Sequence, residues 1–183
     1  MPRLFTALEL PPPVAAQVSL LRGGVPGARW VDPANYHVTL RFIGDVDERV
    51  ADDVVDALAR VARPGLTLAL EGIGAFGSRK PHAVFAGVKP APVLDELQAE
   101  HERLMQRIGL EPERRKFTPH VTLARLKGGS APEVAAFLAL HGQFKTRPFP
   151  VERFVLFSSR ASKGGGPYLV EAAYPLVNTG SVV

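Results

Sequence analysis

A tetrapeptide that occurs twice constrains this chain more than any other feature. His37-Val38-Thr39-Leu40 returns as His120-Val121-Thr122-Leu123. Each copy lies in a strand-like apolar run, and side chains on a strand alternate between its two faces. His37 and Thr39 therefore share one face, with Val38 and Leu40 on the other. The second copy sorts the same way, His120 and Thr122 against Val121 and Leu123. Such a strand has an apolar side that needs a core and a polar side that faces something else. Two of them brought together place two imidazoles and two hydroxyls around one small volume.

The flanking elements repeat too. Residues 4–10 read as a buried strand, and the prolines at 11–13 open a short helix carrying Val14, Val18 and Leu21 at helical spacing. Residues 29–31 are a short extended piece, and Asp32-Pro33-Ala34-Asn35 is a turn by its chemistry. The first motif strand, 37–43, ends at Gly44. Asp47 is placed to cap a helix with the stripe Val50, Val54, Leu58 and Val61. A strand over 66–73 and a loop over 74–81 close the first round. The second round has a strand over 83–88, then a helix opened by Pro92 and stopped by Gly109. The second motif strand, 117–126, follows. A helix capped by Ser130, a strand over 151–157, a glycine-rich loop over 158–167 and a last strand over 168–176 complete it. The order strand, helix, motif strand, helix, strand thus occurs twice. It predicts an α+β fold of two pseudo-symmetric lobes, each an antiparallel sheet with helices on its outer face, and a central cleft between them. A length of 183 residues suits a single two-lobed domain.

Composition narrows the chemistry. There is no cysteine, which excludes disulfides, thiolate nucleophiles and cysteine-based metal sites. No apolar run is long enough to span a bilayer, and Pro11-Pro12-Pro13 interrupts anything resembling a leader. A cytoplasmic monomer is the expectation. The net charge of +4 and a pI of about 9.7 favour an anionic partner such as nucleic acid. Arg79-Lys80 and Arg114-Arg115-Lys116 are either a track for an RNA backbone or ordinary solvated loop charge.

Imidazole titrates near neutrality, so one histidine can take a proton while a second gives one. The two hydroxyls and an arginine would stabilise charge building on phosphoryl oxygens. Two imidazoles are too few for a zinc site, and neither motif has a carboxylate at ligand spacing, so neither metal nor cofactor is expected. His101 falls on the apolar stripe of its helix, His141 at a helix C-terminus and His82 at a strand start, and none of them is assigned a role in the chemistry.

Three stretches resemble the two-histidine (2H) phosphoesterase superfamily, and within it the RNA 2′,3′-cyclic phosphodiesterases, also called 2′-5′ RNA ligases. The first is Arg29-Trp30-Val31 with residues 35–44, the second residues 117–125, and the third Phe157-Ser158-Ser159-Arg160 with the glycine loop and Tyr168. The resemblance implies a two-lobed fold whose motif strands line the cleft, with lobes that need not be the two sequence halves. It implies hydrolysis of an RNA 2′,3′-cyclic phosphate to a 2′-phosphate, with ATP-independent 2′-5′ ligation as the reverse. His120 would activate the water and His37 would protonate the departing 3′ oxygen. Thr39, Thr122 and Arg125 would hold phosphoryl oxygens, and Phe42 would stack on the base. Strict alternation puts Phe42 and Arg125 on the core face instead. A bulge or strand end past Leu40 and Leu123 would reconcile the two readings. The alternatives are a phosphodiesterase for a small cyclic or 2′-5′-linked nucleotide, and a non-catalytic RNA-binding module. The module predicts exposed aromatics where the motif strands offer His and Thr.

Overall fold

The structure, a computed structural model, describes residues 3–127, 131–159 and 167–176. The predicted cap at Ser130 and the glycine loop beyond Ser159 lie outside the described residues. In chain order the elements are β1 (Arg3–Glu9), α1 (Pro12–Ser19), β2 (Ala28–Trp30), a 3-10 turn (Pro33–Asn35), β3 (His37–Asp45), α2 (Glu48–Leu58), β4 (Leu66–Leu68), β5 (Leu70–Phe76) and β6 (Ala83–Val88). They continue with α3 (Pro92–Arg107), β7 (His120–Leu126), α4 (Ala131–His141), β8 (Phe149–Val151), β9 (Arg153–Ser159) and β10 (Tyr168–Pro175). Local chemistry sets several boundaries. Prolines sit in the first turns of α1 and α3, where a missing N–H costs nothing. The Asp47 carboxylate accepts from Val50 N at 2.8 Å and starts α2. Asp32 accepts from Ala34 N at 2.9 Å and tightens the turn that delivers His37.

The main sheet has the order β10-β9-β1-β3-β7-β6-β5, with β2 also on β7. All its pairings are antiparallel. The motif strands β3 and β7 meet at one pair, Val38 opposite Val121. Around that point the sheet divides into two lobes: β10, β9, β1 and β3 in one, and β2, β7, β6 and β5 in the other. On the outer face of the first lobe, His101 of α3 packs on Phe154 of β9 at 4.5 Å between ring centres, and α2 lies against α3. On the second, Phe137 of α4 packs on Trp30 of β2 at 5.7 Å.

The lobes are not the sequence halves. β5 follows the first motif strand in the chain but pairs with β6, and β9 follows the second but pairs with β1. Each half therefore hands a long strand to the other lobe, β5 from the first and β9 from the second, and the first and last strands end up in one lobe. The crossing is where the expected strands 66–73 and 151–157 break. β4 gives way to β5 at Ala69, and β8 to β9 at Glu152. The short pieces pair with each other, Leu66 opposite Val151 and Leu68 opposite Phe149. The second motif strand also starts later than expected, at His120 rather than Phe117.

Both motif strands lose simple alternation immediately after the tetrapeptide. In β3, Ala7 faces Thr39 and Thr6 faces Arg41, so Leu40 is the extra residue. In β7, Phe85 faces Thr122 and Val84 faces Ala124, so Leu123 is the extra residue. Leu40 and Arg41 are both buried, as are Leu123 and Ala124. Phe42 and Arg125 therefore return to the face of the histidines and threonines. They occupy matching positions in the two motifs, each five residues beyond its histidine.

Candidate active site

The β3–β7 contact sets the site. Counting outward from the Val38–Val121 pair, His37 lies opposite Thr122 and Thr39 opposite His120. The two imidazoles occupy one diagonal and the two hydroxyls the other. All four residues are half-buried.

Each imidazole is held the same way. His37 Nδ1–H donates to the carbonyl of Asn35 at 2.8 Å, and His120 Nδ1–H donates to the carbonyl of Thr118 at 2.6 Å. The acceptor stands two residues before the histidine in both cases. These bonds place the proton on Nδ1 and leave Nε2 as the unprotonated nitrogen. His37 Nε2 accepts from the Thr39 hydroxyl at 3.1 Å.

Aromatic rings fix the planes. Phe5, Phe157 and Tyr168 surround His37, with ring centres at 5.1, 5.9 and 5.2 Å. Phe76 and Phe85 flank His120 at 4.8 and 5.2 Å. Gly74 makes room for this: a Cβ there would stand 2.5 Å from the Phe85 ring. Phe157 and Tyr168 belong to the third stretch that carries the resemblance, without a role attached to either, whereas Phe5, Phe76 and Phe85 are marked in the sequence only as aromatics on strands whose pairing it does not state.

Burial dominates the electrostatics. It pushes the His37 imidazole down to about 4, with the charges of His120 and Arg125 adding and the Asn35 carbonyl opposing. His120 is also lowered, by burial first and by Arg125, against its Thr118 carbonyl. Both are neutral in the free protein at pH 7. The influence of Arg125 on both rings places its guanidinium within electrostatic reach of the whole site. Phe42 is 43% exposed at the rim. Arg41 behaves differently from Arg125. It is buried on the helix side, where Nε–H pairs with Glu102 of α3. Its NH1 and NH2 groups donate to the carbonyls of Phe42 and Glu111, both at 2.5 Å. His101 is also fully buried, its Nδ1 bonded to the Thr6 hydroxyl at 2.9 Å, and it does not reach the cleft. Among the described residues no three His, Asp or Glu side chains gather at metal-ligand spacing. No helix among them is long and apolar enough to cross a membrane.

Two lobes joined at paired His-x-Thr strands, with both imidazoles anchored through Nδ1, define a two-histidine phosphoesterase. The chain belongs to that superfamily: it matches the family model described as LigT like Phosphoesterase over residues 8–86 and 88–168. It is 35% identical over 153 residues to an RNA 2′,3′-cyclic phosphodiesterase of Aeropyrum pernix, covering 82% of this chain and 86% of the relative. It is 33% identical over 181 residues to an RNA 2′,3′-cyclic phosphodiesterase of Geobacillus stearothermophilus, covering 94% of this chain and 57% of the relative. Its fold is similar to crystalline E. coli LigT in complex with 3′-AMP, with a TM-score of 0.78, 27% identity, and coverage of 96% of this chain and 99% of that one.

Proposed function

We propose that this enzyme hydrolyses RNA 2′,3′-cyclic phosphate ends to 2′-phosphates, by acid–base catalysis between His37 and His120 without a metal. The observation that carries this reading is the shared Nδ1 anchor, which leaves two Nε2 atoms facing one cleft. The similarity to RNA 2′,3′-cyclic phosphodiesterases of Aeropyrum and Geobacillus supports the substrate class.

In this mechanism His120 Nε2 takes a proton from water as its oxygen forms a bond to phosphorus. The bond from phosphorus to the 3′ oxygen breaks, and that oxygen takes the proton carried by His37 Nε2. The 2′ bond stays intact. The Thr39 and Thr122 hydroxyls and the Arg125 guanidinium donate to the phosphoryl oxygens as their charge grows. Both imidazoles are neutral in the free protein, His37 held down by its burial, so His37 gains the proton it donates only with the phosphate anion bound beside it, which stabilises the imidazolium. Run backwards, the same steps join a 5′-hydroxyl to the cyclic phosphate as a 2′-5′ bond without ATP. Phe42 stacks on the terminal base, since the bulge at Leu40 brings its ring to the cleft face.

The whole chain works as one two-lobed domain and as a monomer, since both histidines come from one chain. The cytoplasm is the place of work that goes with this reading. The test is the product. An oligoribonucleotide ending in a 2′,3′-cyclic phosphate should give only the 2′-phosphate. A 3′-phosphate, or a mixture, would put the acid and base on the wrong sides of phosphorus and overturn the assignment.

A further inference from the structure

The two walls of the cleft differ although the backbone repeats. In the first lobe one register row on the cleft face runs Phe42, Phe5, Phe157, Val170. Phe42 and Val170 stand 43% and 48% exposed at its ends. The matching row in the second lobe runs Arg29, Arg125, Ala83, Phe76. An apolar, aromatic wall thus faces a wall with two guanidinium groups on adjacent strands.

Arg29 has no role in the reaction described above. It is exposed, and the next residue, Trp30, packs against α4 on the outer face, so alternation along β2 turns Arg29 to the cleft face. It stands directly across from Arg125 in the β2–β7 register. The row also lies beyond Thr122 along β7, outside the square formed by the histidines and threonines. Arg125 stands on the motif strand itself, on the face of His120 and Thr122, whereas Arg29 stands one strand further out.

Resting on the function proposed above, we infer that Arg29 binds the phosphodiester adjoining the terminal nucleotide and makes the enzyme select oligonucleotides over mononucleotides. The terminal base lies on the aromatic wall, and the backbone runs along the cationic one. A guanidinium suits the task, since its planar fork matches two phosphate oxygens. A mononucleoside cyclic phosphate has no such group and gains nothing from Arg29.

The experiment compares kcat/KM for a mononucleoside 2′,3′-cyclic phosphate and for a trinucleotide with the same end, using wild type, Arg29→Gln and Arg29→Lys. The ratio of trinucleotide to mononucleotide should fall about 10-fold or more in Arg29→Gln, chiefly through KM, as expected for one charged hydrogen-bonding partner. Arg29→Lys should restore part of it. The slope of log KM against log salt for the trinucleotide should shrink by about 0.7, the value for one phosphate contact on a single strand. A ratio unchanged from wild type, whether both activities hold or both fall together, overturns the inference and gives Arg29 a structural or reaction-centre role. Wild type inert on both substrates overturns the proposed function itself, and this inference with it.

Discussion

At the scale of single residues, burial keeps the histidines of the cleft neutral in the free protein. The same physics governs His101, which lies away from the cleft. It is fully buried, and burial with the nearby Arg63 charge pushes its imidazole down to about 3. An unfolded histidine titrates near 6.5, so between those values the unfolded chain binds the proton and the folded one does not. Stability is therefore complete above about pH 6.5 and is lost as pH falls towards the folded value. His37 and His120 shift the same way and add to the loss. Lowering the pH from 7 to 4.5 should cost roughly 2–3 kcal/mol through His101 alone. Urea midpoints at the two pH values measure this, and a midpoint equal at both would contradict it. The sequence already placed His101 on the buried stripe of its helix. It also separated His37 and Thr39 from Val38, because period-two alternation holds over four residues.

At the scale of elements, alternation failed where the bulges begin. Nothing in Leu40-Arg41-Phe42 or Leu123-Ala124-Arg125 marks an extra residue, because a bulge is defined by the partner strand, not by the bulged one. The family resemblance required Phe42 and Arg125 on the cleft face, and pairing with β1 and β6 shows how the backbone brings them there. One bulge is also tied down from behind. The displaced Arg41 points to α3, pairs with Glu102, and donates to the carbonyls of Phe42 and Glu111. Glu102 in turn accepts from Glu113 N at 2.9 Å, so this one ion pair joins β3, α3 and the loop before β7. Removing Arg41 leaves the partly buried Glu102 without its cation and the Phe42 and Glu111 carbonyls without a donor, and Arg41→Met should lose about 2 kcal/mol. Arg41→Met with Glu102→Met should lose at least about 1 kcal/mol less than the two single changes added together. A double-mutant cycle by urea unfolding reads this directly, and simple additivity would show that the pair is not a unit.

At the scale of the molecule, the repeat of element order made the two lobes legible, and the exchange of β5 and β9 between them was not. Local sequence decides that residues 70–76 form a strand. Which edge they join depends on contacts far along the chain, here with β6, as β9 joins β1. The exchange has a consequence for the site. Each histidine sits on a strand of its own motif yet is packed by an aromatic from the other half of the chain, Phe157 beside His37 and Phe76 beside His120. The halves complete each other, and the cleft with its two Nε2 atoms is a property of the whole chain. The most direct test of that cleft's chemistry is hydrolysis of an oligoribonucleotide 2′,3′-cyclic phosphate in excess EDTA by wild type, His37→Ala and His120→Ala. Wild type should keep its rate under chelation, and each variant should lose at least about 10²-fold. Activity abolished by EDTA, or retained without either histidine, would contradict a two-histidine mechanism that needs no metal.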